Sequence, residues 1–164
     1  MHLVVTLLVT AAALTVAAGL AGAAPQAAGQ KIIEHDFVGA ERCRACHADE
    51  YAHWQQGPHA RAFEVLGPKD RADPRCLSCH TTVADDLSPA LLGVQCEACH
   101  GPGRHYSADW LMRDAELSQL LGLAPVDAKT CTRCHTDSSP SLVPFVVADK
   151  LLLIKHWRDK TTPR

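Results

Sequence analysis

Gly93-Val94-Gln95-Cys96-Glu97-Ala98-Cys99-His100-Gly101-Pro102-Gly103-Arg104-His105 decides how the rest of this chain is read. Its centre is Cys-x-x-Cys-His, which in an exported protein is the attachment signal for a c-type haem. Two cysteines separated by two residues reach the two vinyl groups of one porphyrin, and the histidine that follows reaches the iron. The pentapeptide recurs as Cys43-Arg44-Ala45-Cys46-His47, Cys76-Leu77-Ser78-Cys79-His80 and Cys131-Thr132-Arg133-Cys134-His135. Four copies use all eight cysteines and point to four covalently attached haem c groups, with His47, His80, His100 and His135 as the proximal iron ligands.

Two other uses of the same cysteines are weaker. Cys76 to Cys99 matches a zinc pattern of paired Cys-x-x-Cys units, but zinc does not require a histidine after every second cysteine. Four disulfides are permitted in an exported chain, yet four tightly spaced pairs make a poor structural framework.

The 164 residues suffice for one ordinary domain. Residues 1–23 read as a signal peptide, with an apolar run from Leu3 to Leu20 followed by small residues Ala21-Gly22-Ala23-Ala24. The n-region has no Lys or Arg, and the apolar run approaches the length of a membrane span, so an uncleaved anchor is the alternative. Membrane contact is expected only if that segment is retained. Either way the body is expected on the periplasmic or extracellular side, where c-type haem is attached. Residues 24–37 form a lead-in strap, and 38–164 the tetrahaem domain.

Aromatic residues are only 5% of the chain, too few for a conventional core. The expected fold class is therefore mainly α: short helices and long loops wrapped around four haems, with little or no sheet. The porphyrins would supply the missing apolar mass, coupling haem attachment to folding. The formal charge is −2 and there is no basic run, which argues against nucleic acid. Haem propionates would add acidity, favouring a redox partner with a positive docking surface.

Reading along the chain predicts a helix over 40–55 carrying the first motif, and another over 59–66 opened by Gly57-Pro58. A further helix is expected from His105 to about Leu121, closed by Gly122 and Pro125. Asp127 is the expected N-cap of the helix bearing the fourth motif, and a last helix runs over about 145–157. The motif spacings, 33, 20 and 35 residues (43 to 76, 76 to 96, 96 to 131), are uneven, so no solenoid repeat is expected.

Each iron has a sixth position, and the residue filling it tunes the potential: methionine raises it, histidine keeps it lower. Outside the signal segment only Met112 remains, whereas His35, His53, His59, His105 and His156 lie outside the motifs. Five histidines for four positions point to mostly bis-histidine, low-potential haems.

The third motif with its Gly101-Pro102-Gly103 tail resembles the tetrahaem cytochrome c-554 family. So do Gly57-Pro58-His59-Ala60-Arg61-Ala62 after Tyr51 and Trp54, and Cys134-His135-Thr136 with Ser139-Pro140 and Pro144-Phe145. The similarity runs from Val38 to Trp157. It implies a periplasmic electron carrier with haems stacked in closely spaced pairs. It further implies His59 as distal ligand of the third haem, His105 of the first and His156 of the fourth. The family's second haem lacks a strong distal ligand, but this chain has the extra His35 and His53, either of which would close it.

Two function classes follow. The leading one is an electron carrier working between donor and acceptor proteins, a membrane-bound quinol-oxidising or reductase complex among them. The other is an enzyme, or a subunit of one, acting on a small nitrogen or sulfur species at an open second haem.

Overall fold

The computed structural model describes residues 36–136, 144–154 and 156. The signal segment, most of the lead-in strap with His35, and Ser138-Ser139-Pro140-Ser141 lie outside the described residues. Eight short α-helices carry the described chain: α1 (Ala40–Arg44), α2 (Ala48–Gln56), α3 (Pro74–His80), α4 (Cys96–His100), α5 (Asp109–Met112), α6 (Ala115–Leu120), α7 (Ala128–Thr132) and α8 (Val147–Ile154). Among the described residues, extended pairing is confined to isolated bridges from Thr81 to Leu92 and Gly93. The mainly helical, nearly sheet-free class read from the sequence therefore holds. None of the described helices is long and apolar enough to cross a membrane.

The helices are shorter than periodicity alone indicates. The expected 40–55 helix is two, because the backbone leaves helical geometry at His47, where φ is −117° and ψ 51°. Over 58–66 the amides of Arg61, Ala62, Glu64 and Leu66 each bond three residues back, giving successive tight turns in place of an α-helix. The 105–121 helix breaks at Asp114, whose side chain turns to cap α6 by accepting from the Leu117 amide. Asp127 caps α7 as expected, accepting from the Lys129 and Thr130 amides in a capping box. Pro74 opens α3 behind an Asp73 cap.

Apolar packing is sparse. The buried apolar residues among those described are Ala40, Leu66, Leu77, Leu91, Ala98, Tyr106 and Leu111. Buried polar side chains do much of the joining instead. The Gln95 Oε1 accepts from the Ala40 amide at 2.7 Å, while its Nε2 donates to the carbonyls of Ala90 at 2.8 Å and Leu92 at 3.0 Å. One amide thus ties α1 to the 3₁₀ turn Pro89–Leu91 and to the start of α4.

Two glycines allow the third motif to sit against its neighbours. Gly93 has φ +77°, and a Cβ there would lie 2.6 Å from the Ala60 carbonyl oxygen. Gly101 has φ +80°, and a Cβ there would lie 2.5 Å from the Gly122 oxygen. Both positions need a left-handed backbone and room that only hydrogen leaves.

Replacing Gln95 with Leu keeps its bulk but leaves the Ala40 amide and the Ala90 and Leu92 carbonyls without their partner. We expect a loss of about 3 kcal/mol, measured by denaturant unfolding of the haem-loaded protein against wild type. A loss below about 1 kcal/mol would mean that water replaces those bonds.

Candidate haem-binding site

None of the eight cysteines is joined in a disulfide. The four motifs are built in two ways: α3 and α4 each contain a whole motif, α1 and α7 only the opening of theirs. The turn after α1 and the turn after α7 bring the second cysteine and the histidine round.

The cysteines meet in two pairs. Cys43 of the first motif is in hydrogen-bond contact with Cys96 of the third, which together with burial pushes the Cys43 thiol up. Cys134 of the fourth motif approaches the second: burial and contact with Cys79 raise its thiol to about 11. The attachment points therefore group as first with third and second with fourth. That grouping does not match the zinc pattern, which joins Cys76 and Cys79 to Cys96 and Cys99. Among the described residues, no three or more His, Cys, Asp or Glu side chains converge on a point that would hold a bare metal ion.

The histidines are prepared as neutral ligands. Burial, then the charge of His135, lowers His59 below the usual imidazole range. Burial, then His156 and His47, lowers His100, and burial, then Lys150, lowers His135. The neutral imidazole is the form that binds a metal. His156 Nδ1 lies 2.8 Å from the Ile154 carbonyl oxygen. A carbonyl only accepts, so Nδ1 is the donor and Nε2 is the nitrogen turned away from this bond. His80 Nδ1 donates to the Ala62 carbonyl in the same way.

Two imidazoles held on opposite sides of one metal, each nitrogen about 2.0 Å from it, have ring centres roughly 6 Å apart. His59 and His135 have centroids 6.1 Å apart, and His100 and His156 are 6.2 Å apart. These are the rings the structure brings together, so His59 faces the fourth motif and His156 the third. The chain positions His59 through its carbonyl, which accepts from the Val94 amide at 2.9 Å just before the third motif.

His105 lies with its Nε2 3.2 Å from Oδ1 of the buried Asp36. His53 has its Nε2 3.2 Å from the Leu153 carbonyl oxygen and its ring 6.5 Å from that of His156, beside the third site. Among the described residues no ring faces His80, and His35 lies outside them.

Glu97, in the third motif itself, went unremarked in the sequence. Only 3% exposed, its carboxyl accepts from three backbone amides: Val38, Gly39 and Gly103. The one sequence signal is a charged residue inside the motif, four residues before the Gly-Pro-Gly turn. Unbridged cysteines in every motif, imidazoles at bridging separation and a thin apolar core together fit four haems.

Residues 42–101 match the family described as Cytochrome c554 and c-prime. Cytochrome c-554 of Nitrosomonas europaea is 32% identical over 121 residues, covering 57% of this chain and 52% of that protein. The chain thus spans about half the length of the curated relative it matches. The reduced-state structure of cytochrome c554 from the same organism superposes with a TM-score of 0.52 at 23% identity, over 71% of this chain and 77% of that one, and shares the fold.

The lowered histidines set the sign of a pH effect. Between the unfolded imidazole value, about 6.5, and their lower folded values, the unfolded chain binds more protons, so stability falls as pH drops below about 6.5. Melting temperatures of the haem-loaded protein, taken between pH 8 and 5, are expected to fall only in the acidic half. A flat profile would show that these rings are not held neutral.

Motif, relative and fold agree in making the chain similar to cytochrome c554 over residues 42–101, and its four Cys-x-x-Cys-His segments are attachment sites for four haem c groups.

Proposed function

We propose that the protein is an exported, periplasmic electron carrier in which His135 and His59 ligate one iron and His100 and His156 another. The observation that carries this reading is the pair of imidazole separations, 6.1 and 6.2 Å, at two Cys-x-x-Cys-His motifs. Haem c supplies one-electron ferric–ferrous chemistry; the residues of the chain decide where it sits and how readily it is used.

Each cysteine pair fixes a porphyrin covalently, so spacing does not depend on affinity. The Cys43–Cys96 and Cys79–Cys134 contacts support attachment points close enough for two stacked pairs. His47 and His105 are proposed as the ligands at the first site, with Asp36 orienting His105 through Nε2. His80 is the ligand at the second.

The second site supports an additional reading. No described ring faces His80, and His53 directs its Nε2 to Leu153. An open position there would let a small nitrogen or sulfur species bind, making the protein an enzyme or a subunit of one. His35 is the remaining histidine able to fill it.

Partners follow from charge and chemistry. An acidic carrier docks on positively charged surfaces of a donor and an acceptor protein. A membrane-bound quinol-oxidising or reductase complex is the kind of partner that would exchange electrons with low-potential haems.

The purified native protein is expected to exceed its chain mass by four haems and to have lost residues 1–23. Its ferric spectrum should be largely low-spin, with one high-spin haem that binds carbon monoxide once reduced. His59→Ala and His156→Ala should each add one further carbon monoxide-binding haem. A wild type in which all four haems bind the gas would overturn the bis-histidine reading, and one in which none does would close the second site.

A further inference from the structure

Glu97 carries the one buried carboxylate among the four motifs, and its surroundings neutralise it with dipoles alone. Its Oε1 accepts from the Gly103 amide at 2.6 Å and the Val38 amide at 2.9 Å, and Oε2 accepts from the Gly39 amide at 2.8 Å. No Lys, Arg or His pairs with it among the described residues. Three amide dipoles are aimed at the carboxylate, and burial keeps water from screening its charge. The charge is felt at both neighbouring sulfur anchors. It adds to contact and burial in raising Cys43, and it acts on Cys96 as well. Tyr106 is raised by burial first and by Glu97 second, so the phenol beside this carboxylate stays neutral.

The fourth motif has the opposite character. Arg133 lies between its two cysteines and donates from Nη2 to the Ala98 carbonyl, beside Glu97 in the chain. Its positive charge acts on Cys134 and also reaches Cys99. Arg75, beside the second motif, is matched by Asp73 at 2.6 Å and contributes little net field.

A negative charge beside a haem stabilises the ferric state; a positive charge stabilises the ferrous state. Resting on the electron-carrier reading above, we infer that Glu97 is a positioning residue for the direction of transfer, holding the first–third pair at lower potential than the fourth haem. One electron then leaves a ferrous iron of the first–third pair, which becomes ferric, and reduces the ferric iron held by His135 to ferrous. No proton moves and no bond is made or broken. The donor protein docks nearer the first–third pair and the acceptor nearer the fourth haem.

The test is an optical redox titration of the full haem-loaded protein. Wild type should show four one-electron steps; fewer haems or no redox steps would refute the carrier reading itself, apart from this inference. In Glu97→Gln, with four haems retained, the lowest midpoints should rise so that the ferrous-to-ferric ratio at a fixed potential increases about tenfold. The highest midpoint should stay in place. Arg133→Gln should act oppositely, lowering the highest midpoint and, through its contact with the third motif, the third haem's as well. A merely structural Glu97 would lower the melting temperature and leave the midpoints where they were. Unmoved low midpoints in a fully loaded Glu97→Gln protein overturn the inference. Should that variant lose haem, an unmoved highest midpoint in Arg133→Gln overturns it instead.

Discussion

Two side chains two residues apart, Gln95 and Glu97, hold the backbone of segments that are distant in the chain. Gln95 gathers Ala40, Ala90 and Leu92; Glu97 gathers Val38, Gly39 and Gly103. Each satisfies several buried backbone groups at once, which makes the polar interior permissible: an amide or carbonyl left unpaired there would cost free energy comparable to a lost hydrogen bond. The first motif follows these held residues directly and the third contains Glu97, so one small hydrogen-bonded knot fixes both attachment points.

That arrangement explains how so little apolar burial suffices. A domain of this size ordinarily draws its stability from packed side chains, and this one has few. The four porphyrins bring large apolar faces, and thioether bonds hold them in the chain permanently. The polypeptide needs only to set their directions, which short helices and tight turns do well. His59 sits next to the fourth motif and His156 next to the third, which brings the first half of the chain against its end.

Attachment chemistry was fully legible in the sequence, because Cys-x-x-Cys-His is a local signal that needs no tertiary context. Asp127 was legible for the same reason: a cap acts within one turn. Helix length was not, since Asp114 can continue a helix or cap a new one, and only packing chooses. Partner choice for His59 and His156 was hidden more deeply. Which motif each ring meets depends on how the 58–66 turns cross residues 93–94, and that crossing is set by the His59–Val94 hydrogen bond and by the space above Gly93. Glu97 looked like motif filler because its three partners are backbone amides, which leave no trace in residue identity.

Gly93 and Gly101 bracket the third motif, and the crowding at each has a genetic consequence. A single added methyl at Gly93 presses on the carbonyl of Ala60, next door to His59; one at Gly101 presses on Gly122, beside the chain that returns to Ala124. Either lesion would reach an iron ligand without altering one. A random mutagenesis screen scored by colony colour would therefore recover these two glycines alongside the cysteines, and a map of damaging changes would look wider than the set of atoms that touch haem.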